Sequence, residues 1–289
     1  FFSSFVALGR ASLNEIRRGN LLTRQAFLAM LVLATTCGSI TRGVPLRLRP
    51  RLRVRGRTRT KATVPKRAPS DLGGSRRKLG QSLNLDAIGA LAQVIRRPSL
   101  LLPHISVPHV GHLDFDALRA SGIRAVVFDK DNTLTAPYSL EPHPLTKPGF
   151  EKCVEVFGAE NVMIMSNSAG TDDDEEHREA RVVEEALGVP VLRHRAKKPG
   201  GYAELAAHYG GALTPDQMCI VGDRLFTDVL FGTLHGLLSV QVTQSLKHQG
   251  DNALARVIKA LENGILLRLL NGLGLKPIYH PAVQEKAAT

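Results

Sequence analysis

The chain is poor in the residues that build thiolate metal sites and disulfide frameworks. Its 289 residues include three cysteines, Cys37, Cys153 and Cys219, which lie far apart in the sequence. Their spacing matches neither a zinc motif nor a disulfide pattern, and such usage is typical of a reducing compartment. The apolar run after Ala26 is too short to cross a bilayer, although it has the length of a signal-peptide core.

Acidic residues are almost absent from the first 70 positions. These positions hold 15 Lys and Arg and one acid, Glu15, which leaves 23 basic and 25 acidic residues in the rest of the chain. The net charge of +12 therefore belongs to an N-terminal extension and does not describe what the body binds. Residues 42–67 contain eleven Lys or Arg and no acid, which favours a transit peptide over a nucleic-acid arm or a plain disordered tail. We expect a disordered targeting extension over 1–79 and one folded domain over 80–289, without a nucleic-acid partner.

The body alternates apolar runs of strand length with helical stretches. Runs that could form buried strands occupy 123–128, 162–165, 189–192, 218–221 and 237–242. This alternation predicts an α/β fold with a mainly parallel five-stranded sheet between two layers of helices, as in Rossmann-like domains. Ligands of such sheets bind at the carboxyl ends of the strands.

Polar side chains follow three of the predicted strands where the strand ends: Asp129, with Asp131 two residues on, then Ser166 and Asn167, and Asp223, with Asp228 as a possible fourth carboxylate. Lys197 and Lys198 lie in the loop beyond the predicted strand 189–192. Two carboxylates one residue apart repel each other unless one is protonated or a cation lies between them. Oxygen ligands without His or Cys suit Mg²⁺, and a lysine with a Ser-Asn pair can hold a phosphoryl group. One aspartate could then attack phosphorus while the other acts as general acid and base.

Four strings carry a resemblance to a known family. FDKDNTLTAPY, SNSAG, KKPGG and VGDRLFTDVLFG occur in this order after LLLPHISVPHVGHLDFDALRASGI. Over about 98–243 they resemble the motifs of the haloacid dehalogenase superfamily, and more narrowly its mitochondrial and plastid phosphatidylglycerophosphate phosphatases. The resemblance implies a magnesium-dependent phosphatase that converts this lipid to phosphatidylglycerol through an aspartyl-phosphate. It also implies a mitochondrial or plastid protein, peripheral on an inner or thylakoid-type membrane.

The resemblance implies a role for each motif carboxylate. Asp129 would be the nucleophile and a metal ligand. Asp131 would be the general acid and base, and its backbone carbonyl would bind Mg²⁺. Asp223 would bind Mg²⁺ directly, whereas Asp228 would act through water or as a brace.

The resemblance likewise assigns the phosphate-binding residues. Ser166 and Asn167 would bind the phosphate together with a catalytic lysine. That lysine would be Lys198, which directly precedes Pro199, although Lys197 is an alternative. Thr133 would brace the loop after the first motif.

The gaps between motifs leave no room for a cap domain. Only 34 residues separate Asp131 from Ser166, and 29 separate Asn167 from Lys197, enough for one helix and its loops in each gap. An open site suits a substrate with its own bulk, so we expect a phospholipid at a membrane surface. A phosphorylated protein or nucleic-acid end is the alternative substrate, and a pseudo-phosphatase scaffold is the non-enzyme alternative.

Two flanking segments have helical apolar periodicity with basic residues beside it. They span 85–97 and 253–271, and neither is long enough to cross a bilayer. Each could be an interfacial helix or could pack against the sheet. The oligomeric state stays open.

Overall fold

The computed structural model describes residues 85–246 and 266–283. Within these ranges the helices are α1 Leu85–Arg96, α2 Phe115–Ala120, α3 Lys147–Phe157, α4 Arg178–Leu187, α5 Tyr202–His208, α6 Leu230–His235 and α7 Leu267–Gly272. The strands are β1 Ile105–Val107, β2 Ala125–Phe128, β3 Val162–Ile164, β4 Met218–Gly222 and β5 Leu238–Val242. The predicted targeting extension over 1–79 lies outside the described residues.

The five strands form one parallel sheet. Their order is β1-β5-β4-β2-β3, and every pairing between neighbours is parallel. Strands β2, β4 and β5 are buried at every position, as expected when helices cover both faces of a parallel sheet. The predicted α/β fold with a five-stranded parallel sheet is confirmed.

The strands at the two edges of the sheet are not the ones that the sequence predicts. The segment 189–192 makes one isolated parallel bridge, Ile164 to Val191, and is not a strand. The fifth strand is β1, which pairs with β5 and was not predicted. Its three residues lie between Pro103 and Pro108, so their apolar pattern is too short to stand out.

Side chains of each strand alternate between two apolar clusters. In β2, Val126 and Phe128 pack with α2, α3 and α4, whereas Ala125 and Val127 pack with α5 and α6. Because successive strand residues point to opposite faces, these clusters are the two sides of the sheet. The predicted three-layer arrangement is therefore present.

The flanking helix α1 buries Ala90 and Val94 in the fold, whereas Leu91 and Ile95 are half-buried. Ala90 and Val94 belong to a third cluster, which also contains Leu225 and, at the other flank, Leu270 of α7. This packing supports the alternative that the flanks pack on the domain, whereas residues 253–265 lie outside the described ranges. In the described part of the chain, no helix has the length and hydropathy needed to traverse a membrane.

The motif-connecting segments are short, and the structure describes them completely. Residues 132–161 contain a small hairpin, α3 and a 3₁₀ turn, and residues 168–196 contain α4 with its preceding turn. Neither segment forms an additional domain, in agreement with the predicted lack of a cap. No additional domain formed by these two segments therefore covers the carboxyl end of β2.

Helix α3 packs closely against the turn Val110–His112, so a larger side chain at the contact should destabilise the fold. A Cβ on Gly149 would lie 2.6 Å from Cα of Gly111 and 2.7 Å from its backbone nitrogen. Because the obstacle is backbone, we expect Gly149→Ala to lower the free energy of unfolding by about 1–3 kcal/mol, measured by urea denaturation.

Gly89→Ala is the matched control. Gly89 lies in α1, and a Cβ there would meet nothing within 4 Å. It should raise the free energy of unfolding by about 0.5–1 kcal/mol, since alanine is the better helix former. A similar effect of both substitutions would contradict the proposed close packing.

Candidate active site

The predicted site residues lie at the carboxyl edge of three adjacent strands. Asp129 follows β2, Asp223 follows β4, and Ser166 lies two residues after the end of β3. The order β4-β2-β3 makes these strand ends neighbours. The backbone N–H of Asp129 donates to the carbonyl of Val221 (2.9 Å), so the ladder extends to the first aspartate.

Three carboxylates converge at this edge. Oxygens of Asp129, Asp223 and Asp228 all lie within 4.8 Å of one another. Asp223 and Asp228 are buried, whereas the Asp129 side chain is 14% exposed. Burial raises the pKa of Asp129 to about 7; Lys198 opposes the shift, and Asp228 and Asp223 add to it. The cluster therefore holds more negative charge than one lysine neutralises, and a further cation would stabilise it.

Lys198 places its positively charged ammonium group among the carboxylates of the site. Its Nζ lies 2.8 Å from Asp129 Oδ1 and 2.6 Å from Asp228 Oδ1, and its side chain is fully buried. Burial alone would lower the pKa of Lys198, but the two carboxylates raise it, so the lysine stays charged. Lys197 instead pairs with Asp173 (2.6 Å) at the surface.

Asp228 also holds the backbone of its own loop. Its Oδ2 accepts a hydrogen bond from the N–H of Arg224 (3.1 Å), while its Oδ1 faces Lys198. A Cβ on Gly222 would lie 2.2 Å from Asp228 Cγ, so glycine is required for this close approach. The geometry makes Asp228 a brace for the lysine and the loop.

The two residues of the Ser-Asn pair after β3 make hydrogen bonds to different parts of the site. Asn167 Oδ1 accepts a hydrogen bond from the backbone N–H of Lys198 (2.9 Å), so its amide fixes the lysine loop. Ser166 is buried, and its hydroxyl contacts Ser168 Oγ (3.1 Å) and accepts from the Ser168 N–H (3.2 Å). The pair thus joins the end of β3 to the loop that carries Lys198.

A buried histidine adds a second connection that the sequence did not reveal. His194 Nε2 lies 2.9 Å from the carbonyl oxygen of Ser166, and its Nδ1 lies 2.7 Å from that of Ala196. The ring therefore spans the serine motif and the lysine loop. No spacing rule distinguishes this histidine from others in the chain.

Asp131 lies outside the three-carboxylate cluster. It is partly exposed, and its Oδ1 pairs with the buried ammonium of Lys130 (2.5 Å). Thr133 is also buried, but its hydroxyl has no hydrogen-bond partner among the described residues, so any bracing comes from its backbone. The role of Lys130 was not predicted, although a lysine between two aspartates was visible in the sequence.

The donor set of the cluster fits a hard divalent cation. All of its members are carboxylates, with no His or Cys among them. Oxygen-only ligands, here from the two neighbouring segments after β2 and β4, are typical of Mg²⁺ sites. Asp129, Asp223 and Asp228 are therefore the side chains that could hold the ion.

Comparison with known proteins gives a consistent set of relatives. The family model of the mitochondrial PGP phosphatases matches residues 85–247. A chloroplastic/mitochondrial phosphatidylglycerophosphate phosphatase 1 of Arabidopsis thaliana is 40% identical over 72% of this chain and 59% of its own length. The chloroplastic enzyme of Chlamydomonas reinhardtii is 41% identical over 76% of this chain and 78% of its own length. A mitochondrial phosphatidylglycerophosphatase of Saccharomyces cerevisiae is 32% identical over 63% of this chain and 98% of its own length.

The raised pKa of Asp129 predicts how pH affects stability in the metal-free protein. Between its ordinary value of 3.8 and about 7, the folded state keeps a proton that the unfolded state has lost. Stability should therefore fall as pH rises through this interval, and Asp129→Asn should weaken that fall. Urea denaturation with EDTA at pH 4.5 and pH 7 measures the difference.

Asp116→Asn is the control, because Asp116 is exposed and pairs only with Lys152 among described side chains. It should leave the pH dependence of the wild type unchanged. Equal slopes in the wild type and Asp129→Asn would contradict the proposed electrostatics of the cluster.

Proposed function

The chain belongs to the phosphatidylglycerophosphate phosphatase family, and we propose that it hydrolyses the terminal phosphomonoester of phosphatidylglycerophosphate to phosphatidylglycerol. The observation that carries the proposal is the ammonium of Lys198 between Asp129 and Asp228, at a strand edge formed by the family's motifs. The relatives named for mitochondria and chloroplasts support the same location for this protein.

Asp129 is the nucleophile in the proposed first step. It is the one member of the cluster whose side chain reaches solvent, so a substrate phosphorus can approach it. Its carboxylate forms a bond to phosphorus while the bond from phosphorus to the glycerol oxygen breaks. Asp131, two residues further and more exposed, gives a proton to that oxygen, and phosphatidylglycerol leaves.

Water completes the reaction in the second step. Asp131, now a carboxylate, takes a proton from a water molecule that attacks the phosphorus of the acyl-phosphate. The bond between phosphorus and Asp129 breaks, which regenerates the carboxylate and releases inorganic phosphate. The same aspartate thus acts first as acid and then as base.

Lys198 and the Ser-Asn pair hold the phosphoryl group. The lysine offsets negative charge on the phosphoryl oxygens, and the Ser166 hydroxyl donates to one of them. Asn167 contributes through the lysine loop, because its amide already accepts from the Lys198 N–H. Asn167 therefore positions Lys198, which binds the phosphate, and does not itself contact the phosphate in this proposal.

Mg²⁺, when bound, supplies positive charge that neutralises the transferring phosphoryl group. Asp223 and Asp129 would hold the ion through side-chain oxygens, and Asp131 through its backbone carbonyl. Asp228 braces the lysine and its loop.

Removal of the metal should abolish hydrolysis. We expect EDTA to inactivate the enzyme and Mg²⁺ to restore it. Asp223→Ala should need at least about tenfold more Mg²⁺ for half-maximal rate, because it loses a charged ligand of a hard cation. Phosphate release at increasing Mg²⁺ measures this.

Asp216→Ala, in the turn that precedes β4, is the control. Asp216 is exposed before β4, at the end opposite Asp223. Its magnesium requirement should equal that of the wild type. Full activity after exhaustive chelation would refute the metal assignment.

The substrate class can be tested by competition between phosphomonoesters. We expect phosphate release from phosphatidylglycerophosphate in vesicles to exceed release from a phosphopeptide or a 5′-phosphorylated oligonucleotide by at least about 100-fold in kcat/KM. Asp129→Asn should lose activity on all of them. Comparable rates on the peptide or the oligonucleotide would favour the alternative substrates.

A further inference from the structure

A small hairpin stands beside the catalytic aspartates. We define the flap as residues 132–145, which directly follow Asp131. Backbone bridges join Asp131 to Thr135 and Thr135 to Pro142, and the Ser139 N–H closes a turn onto Ala136. The tip of the flap is therefore residues 136–140.

Lys130 fixes the flap to the catalytic loop. Its ammonium is buried and contacts both the Asp131 carboxylate and the carbonyl of Ser139 at 3.1 Å. At the other end, the hydroxyl of Thr146 donates to the carbonyl of Leu134. The tip thus has a defined place relative to Asp131.

The flap exposes apolar side chains that the fold does not use. Tyr138 is 84% exposed, Leu140 41% and Leu145 43%, and they are three of the six large exposed hydrophobic residues in the described ranges. Tyr138 also has a backbone φ of +64°, a conformation that bulky residues rarely adopt. Neither packing nor turn geometry requires a tyrosine at this position.

We propose that the flap inserts Tyr138, Leu140 and Leu145 into the lipid surface and thereby docks the active site on the membrane. The inference rests on the proposed function. The reacting phosphate ends a short headgroup, so a partly buried Asp129 can reach it only if the surface beside the site contacts the bilayer. Apolar side chains at that surface are stabilised by leaving water for the interface.

The attraction should come from apolar burial rather than from charge. The flap contains one acid, Glu141, and no Lys or Arg. In α1, by contrast, Ala90 and Val94 are buried in a core cluster, and Leu91 packs against that cluster and is half-buried. Flap docking should therefore depend weakly on salt, unlike binding through basic side chains.

The absence of tryptophan from the chain makes a direct test available. Tyr138→Trp in the full chain places a single tryptophan at the tip. With vesicles of phosphatidylcholine and phosphatidylglycerol, its fluorescence should shift to shorter wavelength and be quenched by spin-labelled lipid, in 50 mM and in 500 mM salt.

Tyr279→Trp is the matched control. Tyr279 is 80% exposed and precedes His280, whose ring lies 5.2 Å from that of His104 at the start of β1, on the opposite edge of the sheet. Its fluorescence should not change with vesicles. An equal shift at both positions, or none at Tyr138→Trp, would overturn the proposal.

Turnover provides the second measurement. Changing Tyr138 and Leu140 together to serine should reduce hydrolysis of vesicle phosphatidylglycerophosphate by about tenfold or more, through the lost apolar area. Hydrolysis of a small soluble phosphomonoester should be unchanged. Val182→Ser, at an exposed position of α4, should affect neither substrate.

The remaining outcomes separate the docking proposal from its alternatives. A blue shift of Tyr138→Trp without vesicles, together with a larger mass in solution, would assign the flap to contact between copies of this chain and overturn docking. Vesicle-dependent shifts without phosphatidylglycerophosphate hydrolysis would support docking and refute the proposed function. Normal vesicle hydrolysis by the double variant would refute docking alone.

Discussion

The ion-pair arrangement around Lys198 is the interaction on which the site depends. Three carboxylates meet at one edge of a parallel sheet, and their mutual repulsion would separate them without positive charge between them. Lys198 supplies part of that charge from a fully buried position between Asp129 and Asp228. Its loop is held in turn by the Asn167 amide, and the preceding residues are held by His194.

The sheet converts distant segments of sequence into this arrangement. Because β4, β2 and β3 are adjacent and parallel, the loops after them open on the same side. The connecting segments are too short for a cap, and Asp129, the proposed nucleophile, is partly exposed beside the flap. The apolar tip of the flap is held close to Asp131 by Lys130, which is the observation behind the proposed membrane contact.

The sequence alone predicts those strands and site residues that a continuous apolar run or a short motif marks. The apolar runs gave four of the five strands. The motifs placed Asp129 and Asp223 at strand ends and Lys198 in a loop beyond the predicted strand 189–192, which is not a strand in the structure. Short edge elements were less accessible: β1 has three residues between prolines, and 189–192 makes only one bridge despite its apolar run. Contacts that depend on three-dimensional proximity were not predictable, such as His194 between Ser166 and Ala196, or Lys130 beneath the flap.

The central claim is that Asp129 forms a covalent bond to the substrate phosphorus. The most direct measurement is an acid quench of the enzyme during turnover, followed by borohydride reduction, which converts an aspartyl-phosphate to homoserine, and peptide mass spectrometry. The account predicts homoserine at position 129 only, and only when both Mg²⁺ and substrate are present. Homoserine at another aspartate, or an unmodified Asp129 in samples where product forms in a burst, would contradict it.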